Sequence, residues 1–91
     1  MHWATLHFSP ERARWVAAER WHPKQKGKLL PDGSYELQVP YNDDRELTMD
    51  ILKHGSEVVV VAPESLRERL AAEVAKLVTL YRGTPNIHSS P

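Results

Sequence analysis

The run Pro31-Asp32-Gly33-Ser34-Tyr35-Glu36-Leu37-Gln38-Val39-Pro40-Tyr41 decides how the rest of the chain is arranged. Pro-Asp-Gly is a turn, because proline presets one backbone angle and glycine accepts the positive φ that such turns need. Beyond it, Tyr35, Leu37, Val39 and Tyr41 alternate with Ser34, Glu36 and Gln38, the period of a half-buried strand. The turn joins this strand to the segment before it as a hairpin. That preceding segment, Lys24 to Leu30, reads as an edge strand whose lysines discourage pairing with another chain.

Towards the N-terminus, His2 to Phe8 alternates as well, with Ala4, Leu6 and Phe8 on one face and Trp3, Thr5 and His7 on the other. Ser9-Pro10-Glu11 is a helix start: an N-cap serine, a proline at the first helical position and an acid favoured by the helix dipole. The helix is predicted over Pro10–Arg20, burying Ala13, Val16 and Ala17. Trp21-His22-Pro23 stops it, since the residue before proline is driven from helical angles.

Towards the C-terminus, Asp43 and Glu46 have capping-box spacing and open a helix over Asp44–His54 that turns Leu47, Ile51 and Leu52 inward, with Gly55 as its stop. Val58 to Val61 is an unbroken β-branched run, apolar on both faces. Ser65 and Glu68 form a second capping box, for a helix over Ser65–Tyr81 with the stripe Leu66, Leu70, Val74, Leu77 and Tyr81. Residues 83–91 read as a flexible tail after a domain over residues 1–82.

The order is strand, helix, strand, strand, helix, strand, helix. Its first six elements predict an α+β fold, a ferredoxin-like split βαβ antiparallel sheet (βαββαβ), with the last helix added. The predicted strand order 4-1-3-2 leaves the valine strand at an edge. Something should cover it: the C-terminal helix, a neighbouring domain or a second subunit. Val58, Val59, Val60 and Val61 are therefore the expected homodimer interface.

Ninety-one residues allow one domain, and the absence of cysteine removes disulfides and thiolate metal sites. No signal segment or membrane-length apolar run is present, which predicts a cytoplasmic protein without membrane association. Twelve basic residues balance twelve acidic ones, but unevenly along the chain. Ser9 to Leu30 holds Arg12, Arg14, Arg20, Lys24, Lys26 and Lys28 against Glu11 and Glu19, whereas Pro31 to Glu68 is acidic. Such asymmetry can steer a partner, although solvated faces explain most of it.

Chemistry-bearing motifs are missing. His2, His7, His22, His54 and His88 form no metal-ligand pattern, and all but His22 read as solvated surface residues. Asp43, Asp44 and Glu46 are explained by helix capping. With no nucleophile motif, P-loop or dinucleotide fingerprint, the chain is expected to be no enzyme and to hold no cofactor. Trp3 alone offers an aromatic on the open sheet face, too little for general RNA stacking.

Arg20-Trp21-His22-Pro23-Lys24-Gln25 is the most unusual string. A helix stop with Trp21 sealing the core explains Trp21 and Pro23 but not His22 or Gln25. Together with Phe8-Ser9-Pro10-Glu11, Ala13-Arg14-Trp15-Val16, Pro31-Asp32-Gly33-Ser34 and Ala62-Pro63-Glu64-Ser65-Leu66-Arg67, it resembles the C-terminal extension (WCX) domain of WYL-domain bacterial transcriptional regulators. The resemblance runs from about Leu6 to Tyr81; Lys24 departs from it, standing where the family has serine. It implies a module for dimerisation and ligand sensing, whose partners would be the WYL and winged-helix domains of a parent regulator. Neither of those domains lies within the ninety-one residues, so the chain reads as a fragment or a stand-alone version. The alternative from the residues is a stand-alone binder of a small, nucleotide-like ligand or single-stranded nucleic acid. For either, the expected binding residues are Arg20, Trp21, His22, Lys24, Gln25, Lys26 and Lys28.

Overall fold

A computed structural model describes residues 1–83. The strand β1 (His2–Phe8) leads into helix α1 (Pro10–Ala17), and the hairpin β2 (Lys26–Leu29) and β3 (Tyr35–Tyr41) follows. Helix α2 (Asp44–Leu52), a 3-10 turn (Gly55–Glu57), strand β4 (Val58–Ala62) and helix α3 (Glu64–Val78) complete the order, with a π turn over Thr79–Gly83. The sheet order is β2-β3-β1-β4 and every pairing is antiparallel. This is the expected ferredoxin-like arrangement with an added C-terminal helix. Of the expected tail only Gly83 is described, as the end of the π turn; residues 84–91, His88 among them, lie outside the described residues.

The alternation in β1 and β3 builds the core. Ala4, Leu6 and Phe8 are buried beside Leu37 and Val39, and α1 adds Val16, α2 adds Leu47 and Ile51, and α3 adds Leu66 and Leu70. Leu6 faces Leu37 on one side and Val60 on the other. All three helices therefore pack on one sheet face, and Trp3, Thr5 and His7 line the opposite, open face. His7 there meets the Glu36 carboxylate at 2.9 Å.

The caps explain where elements begin. The Ser9 Oγ accepts from the Arg12 N–H at 3.3 Å, its hydroxyl donates to Glu57, and its backbone N–H bonds the Glu57 carbonyl. This ties the start of α1 to the start of β4. The Asp43 carboxylate accepts from the Arg45 N–H at 2.9 Å, which holds its pKa below the ordinary value. Gly33 (φ 93°) and Gly55 (φ 58°) occupy left-handed positions in the hairpin turn and after α2.

Several boundaries differ from the sequence reading. Helix α1 ends at Ala17 rather than Arg20 and leaves Ala17 exposed, because the Gln25 side chain takes over the backbone N–H groups beyond it. Strand β2 is shorter than Lys24–Leu30, and α2 ends at Leu52, before His54. Helix α3 starts at Glu64 with Pro63 as cap. Ser65 is already inside the helix, where its hydroxyl cannot cap, so the second capping box does not form. The inward-facing valines also differ: Val60 is buried and Val58 half-buried within their own domain, leaving Val59 and Val61 as the exposed pair of the expected interface. The register shifts between Thr5 and Leu6, so Val61 stands opposite no residue of β1. Among the described residues no helix is long and apolar enough to cross a membrane.

Candidate functional site: a cleft between two helices

The segment after α1 is folded around one side chain. Gln25 Oε1 accepts from the backbone N–H groups of Trp21 (2.6 Å) and His22 (3.1 Å), while its Nε2 donates to the Glu19 carbonyl (3.0 Å). His22 Nδ1 accepts from the Lys24 N–H at 3.0 Å. Gln25 and His22, unexplained as a helix stop, thus close a loop that presents Trp21 to the core.

Trp21 sits half-buried, with its ring edge-on to Phe8 (centroids 5.9 Å apart) and stacked on His54 (5.7 Å, planes 15° apart). His54 in turn meets Phe8 edge-on at 5.2 Å. The His54 side chain is only 10% exposed, which overturns its reading as a solvated surface histidine. Its Nδ1 is buried without a partner among the described residues. Burial holds its pKa below the ordinary value, the nearby Arg12 and Lys53 charges lower it further, and the carboxylates of Glu19 and Asp50 oppose the shift.

Around this stack α1 and α2 leave an open cleft of about 530 Å³, lined by Arg12, Glu19, Arg20, Trp21, Asp50, Lys53 and His54. The acids are engaged: Glu19 accepts from Trp21 Nε1 at 3.0 Å and lies 4.0 Å from His54 Nε2, and Asp50 lies 3.6 Å from Lys53 Nζ. Arg12 and Arg20 have no carboxylate partner among the described residues. The cleft therefore offers two free guanidiniums beside an aromatic platform, a combination suited to an anion attached to a planar group.

The residues expected to bind do not converge. Arg20 and Trp21 line this cleft. His22 lies on the other side of Trp21, in an acidic recess with Asp43, Glu46 and Asp50. Lys24 is exposed on the loop, and Gln25 is committed to the backbone. Lys26 and Lys28 pair with Gln38 and Glu36, which themselves pair with Thr5 and His7, so both lysines belong to the open face. Lys26 Nζ lies 5.5 Å from the Trp3 ring centroid there. Sequence reasoning missed Arg12, Lys53 and His54. The available signal was the spacing of the last three site residues: Asp50, Lys53 and His54 follow one another at i, i+3 and i+4, whereas Arg12 on α1 and Glu19 in the loop beyond it meet only in three dimensions.

The family model described as the WCX domain matches residues 1–78. The chain belongs to the WCX family. The Protein PafC of Mycobacterium tuberculosis (strain CDC 1551 / Oshkosh) is 34% identical over 79 residues, covering 87% of this chain and 24% of that protein. The Protein PafC of Mycobacterium leprae (strain TN) is 31% identical over 80 residues, covering 82% of this chain and 25% of that protein. The WCX chain spans about a quarter of the length of these relatives. A WCX domain is the C-terminal extension of WYL-domain transcriptional regulators, so the module is a regulatory one, as its motifs implied.

Proposed function

We propose that this WCX domain is the effector-sensing and self-associating module of a WYL-type regulator, and that its effector is single-stranded nucleic acid. It performs no catalysis in this reading; WYL and winged-helix domains of a parent protein would supply the DNA-reading response. The observation that carries the sensing half is the pair Arg12 and Arg20, free of carboxylate partners beside the Trp21–His54 stack. Guanidiniums bind phosphate in bidentate fashion, and a base stacks on an indole whatever its identity.

The test is fluorescence anisotropy of a labelled oligothymidylate over a salt series. Each phosphate contact to a single strand contributes about −0.7 to the slope of log affinity against log salt. Replacing both Arg12 and Arg20 by Ala should weaken binding and flatten that slope by about 1.4, the value for two lost contacts. Unchanged affinity in the double variant would refute the assignment. A second reading is supported by Lys26 over Trp3: a strand crossing the open face. It expects Lys26→Ala with Lys28→Ala to reduce binding instead.

A further inference from the structure

Helix α3 is anchored by its first half only. Leu66 and Leu70 are buried, but Val74, Val78 and Tyr81 are 45%, 48% and 81% exposed. Ile51, Leu52, Val58, Leu70, Ala71 and Val74 are among the walls of an apolar groove of about 230 Å³ beside that first half. The exposed face runs Arg67, Ala71, Val74, Val78, Tyr81, at spacings of four, three, four and three. That is the seam of a two-helix coiled coil, in which one side of a helix stays against a partner.

We infer that α3 pairs antiparallel with α3 of a second copy of this chain, each projecting half closing the groove of the other. The inference rests on the self-association half of the proposed function and names its interface. Direction follows from charge. A parallel, in-register pair would set Arg67 against Arg67 of the partner. Antiparallel pairing about Val74 sets Arg67 opposite Tyr81 of the partner subunit, cation against ring, near the carbonyl end of its helix. The small Ala71 then faces Leu77 of the partner subunit, with Val78 of the partner subunit beside it. Flanking the seam, Glu68 falls opposite Leu80 of the partner subunit and within side-chain reach of Arg82 of the partner subunit, an opposite-charge pair that the two-fold axis makes twice. Arg67 and Glu68 have no ion-pair partner among the described residues within their own chain. The π turn over Thr79–Gly83 shifts Tyr81 and Arg82 by part of a turn, so Ala71, Val74 and Val78 set the register.

An interface of about four helical turns falls below about 1,200 Å², the range of weak association, so it must be sought at high micromolar concentration. Sedimentation equilibrium of the 91-residue chain should show a reversible dimer. Val78→Glu, exposed in the monomer and harmless to its fold, should raise the dissociation constant roughly tenfold or more by burying a charge in the seam. Glu68→Arg should weaken the dimer, and adding Arg82→Glu should restore it. Circular dichroism melts unchanged between variants would tie the losses to association. A wild-type monomer would overturn self-association altogether. A dimer that survives Val78→Glu but fails in Val61→Lys would overturn the helix pairing alone and assign the interface to the open sheet face. Oligonucleotide binding measured on Val78→Glu reports separately on the sensing half.

Discussion

The indole of Trp21 lies almost parallel to the imidazole of His54, with ring centroids 5.7 Å apart and planes inclined by 15°. This contact joins the loop after α1 to the end of α2, closes the core over Phe8 and forms the platform of the charged cleft. The fold and the proposed binding site thus share one pair of side chains.

The first expectation concerns acid. Burial depresses the His54 pKa below its ordinary 6.5, so the unfolded chain binds the proton more readily than the folded one. Stability then rises with pH wherever the unfolded state holds more protons. The contribution of His54 is complete above about pH 6.5 and is lost as pH falls through the lower folded value. Glu19 and Asp50 face the ring and temper the loss, whereas Arg12 and Lys53 deepen it. Urea denaturation from pH 7.5 to 5 should show declining stability in the wild type and a flatter profile in His54→Phe. Equal slopes in the two proteins would place the proton sensitivity elsewhere.

Removing the other half of the stack should be costly. Trp21→Ala deletes contacts with Phe8 and His54 and opens the core beneath. A fully buried aromatic is worth about 3–5 kcal/mol; this half-buried ring should cost about 2–3 kcal/mol in denaturant titrations. A loss under about 0.5 kcal/mol is what an unconstrained surface residue gives.

Gln25 holds the loop that delivers Trp21. Gln25→Ala leaves the N–H groups of Trp21 and His22 without their acceptor, and should cost about 1–2 kcal/mol. Gln25→Glu keeps the acceptor but loses the donor to the Glu19 carbonyl, so it should fall between wild type and alanine. Hydrogen exchange at the Trp21 and His22 amides would follow the same order.

Much of this was legible in the chain. The alternation of Ala4, Leu6 and Phe8 with Trp3, Thr5 and His7 is a local property, and so are the caps at Ser9 and Asp43. The order of elements therefore came through. The cleft did not, because its parts meet only in three dimensions: His54 follows an exposed lysine at a helix end, and nothing near it in sequence buries it. Phe8 and Trp21, 46 and 33 positions away, do so. Gln25 was noticed as unusual, yet its role depends on a chain reversal that brings its amide back to Glu19. The failed capping box at Ser65 shows the opposite error, a local motif displaced when the helix starts one residue earlier.

Thr48 is buried in α2 and its Oγ1 lacks a partner among the described residues. An unpaired buried hydroxyl costs about 1–3 kcal/mol against an apolar group of the same shape. Thr48→Val should therefore stabilise the fold by about 1 kcal/mol. A clear destabilisation on urea titration would show that the hydroxyl has a partner, such as a bound water.

A nucleic-acid strand held in the cleft at Trp21 would be seen most directly in the indole N–H signals of the nitrogen–proton spectrum. The chain has three tryptophans: Trp3 on the open face, Trp15 exposed on α1, and Trp21 with its N–H on Glu19. During titration with oligothymidylate at low salt, the Trp21 signal should move and saturate, while those of Trp3 and Trp15 hold still. Movement of Trp3 with Trp21 unmoved, or no movement of any of the three, would rule out the cleft as the binding site.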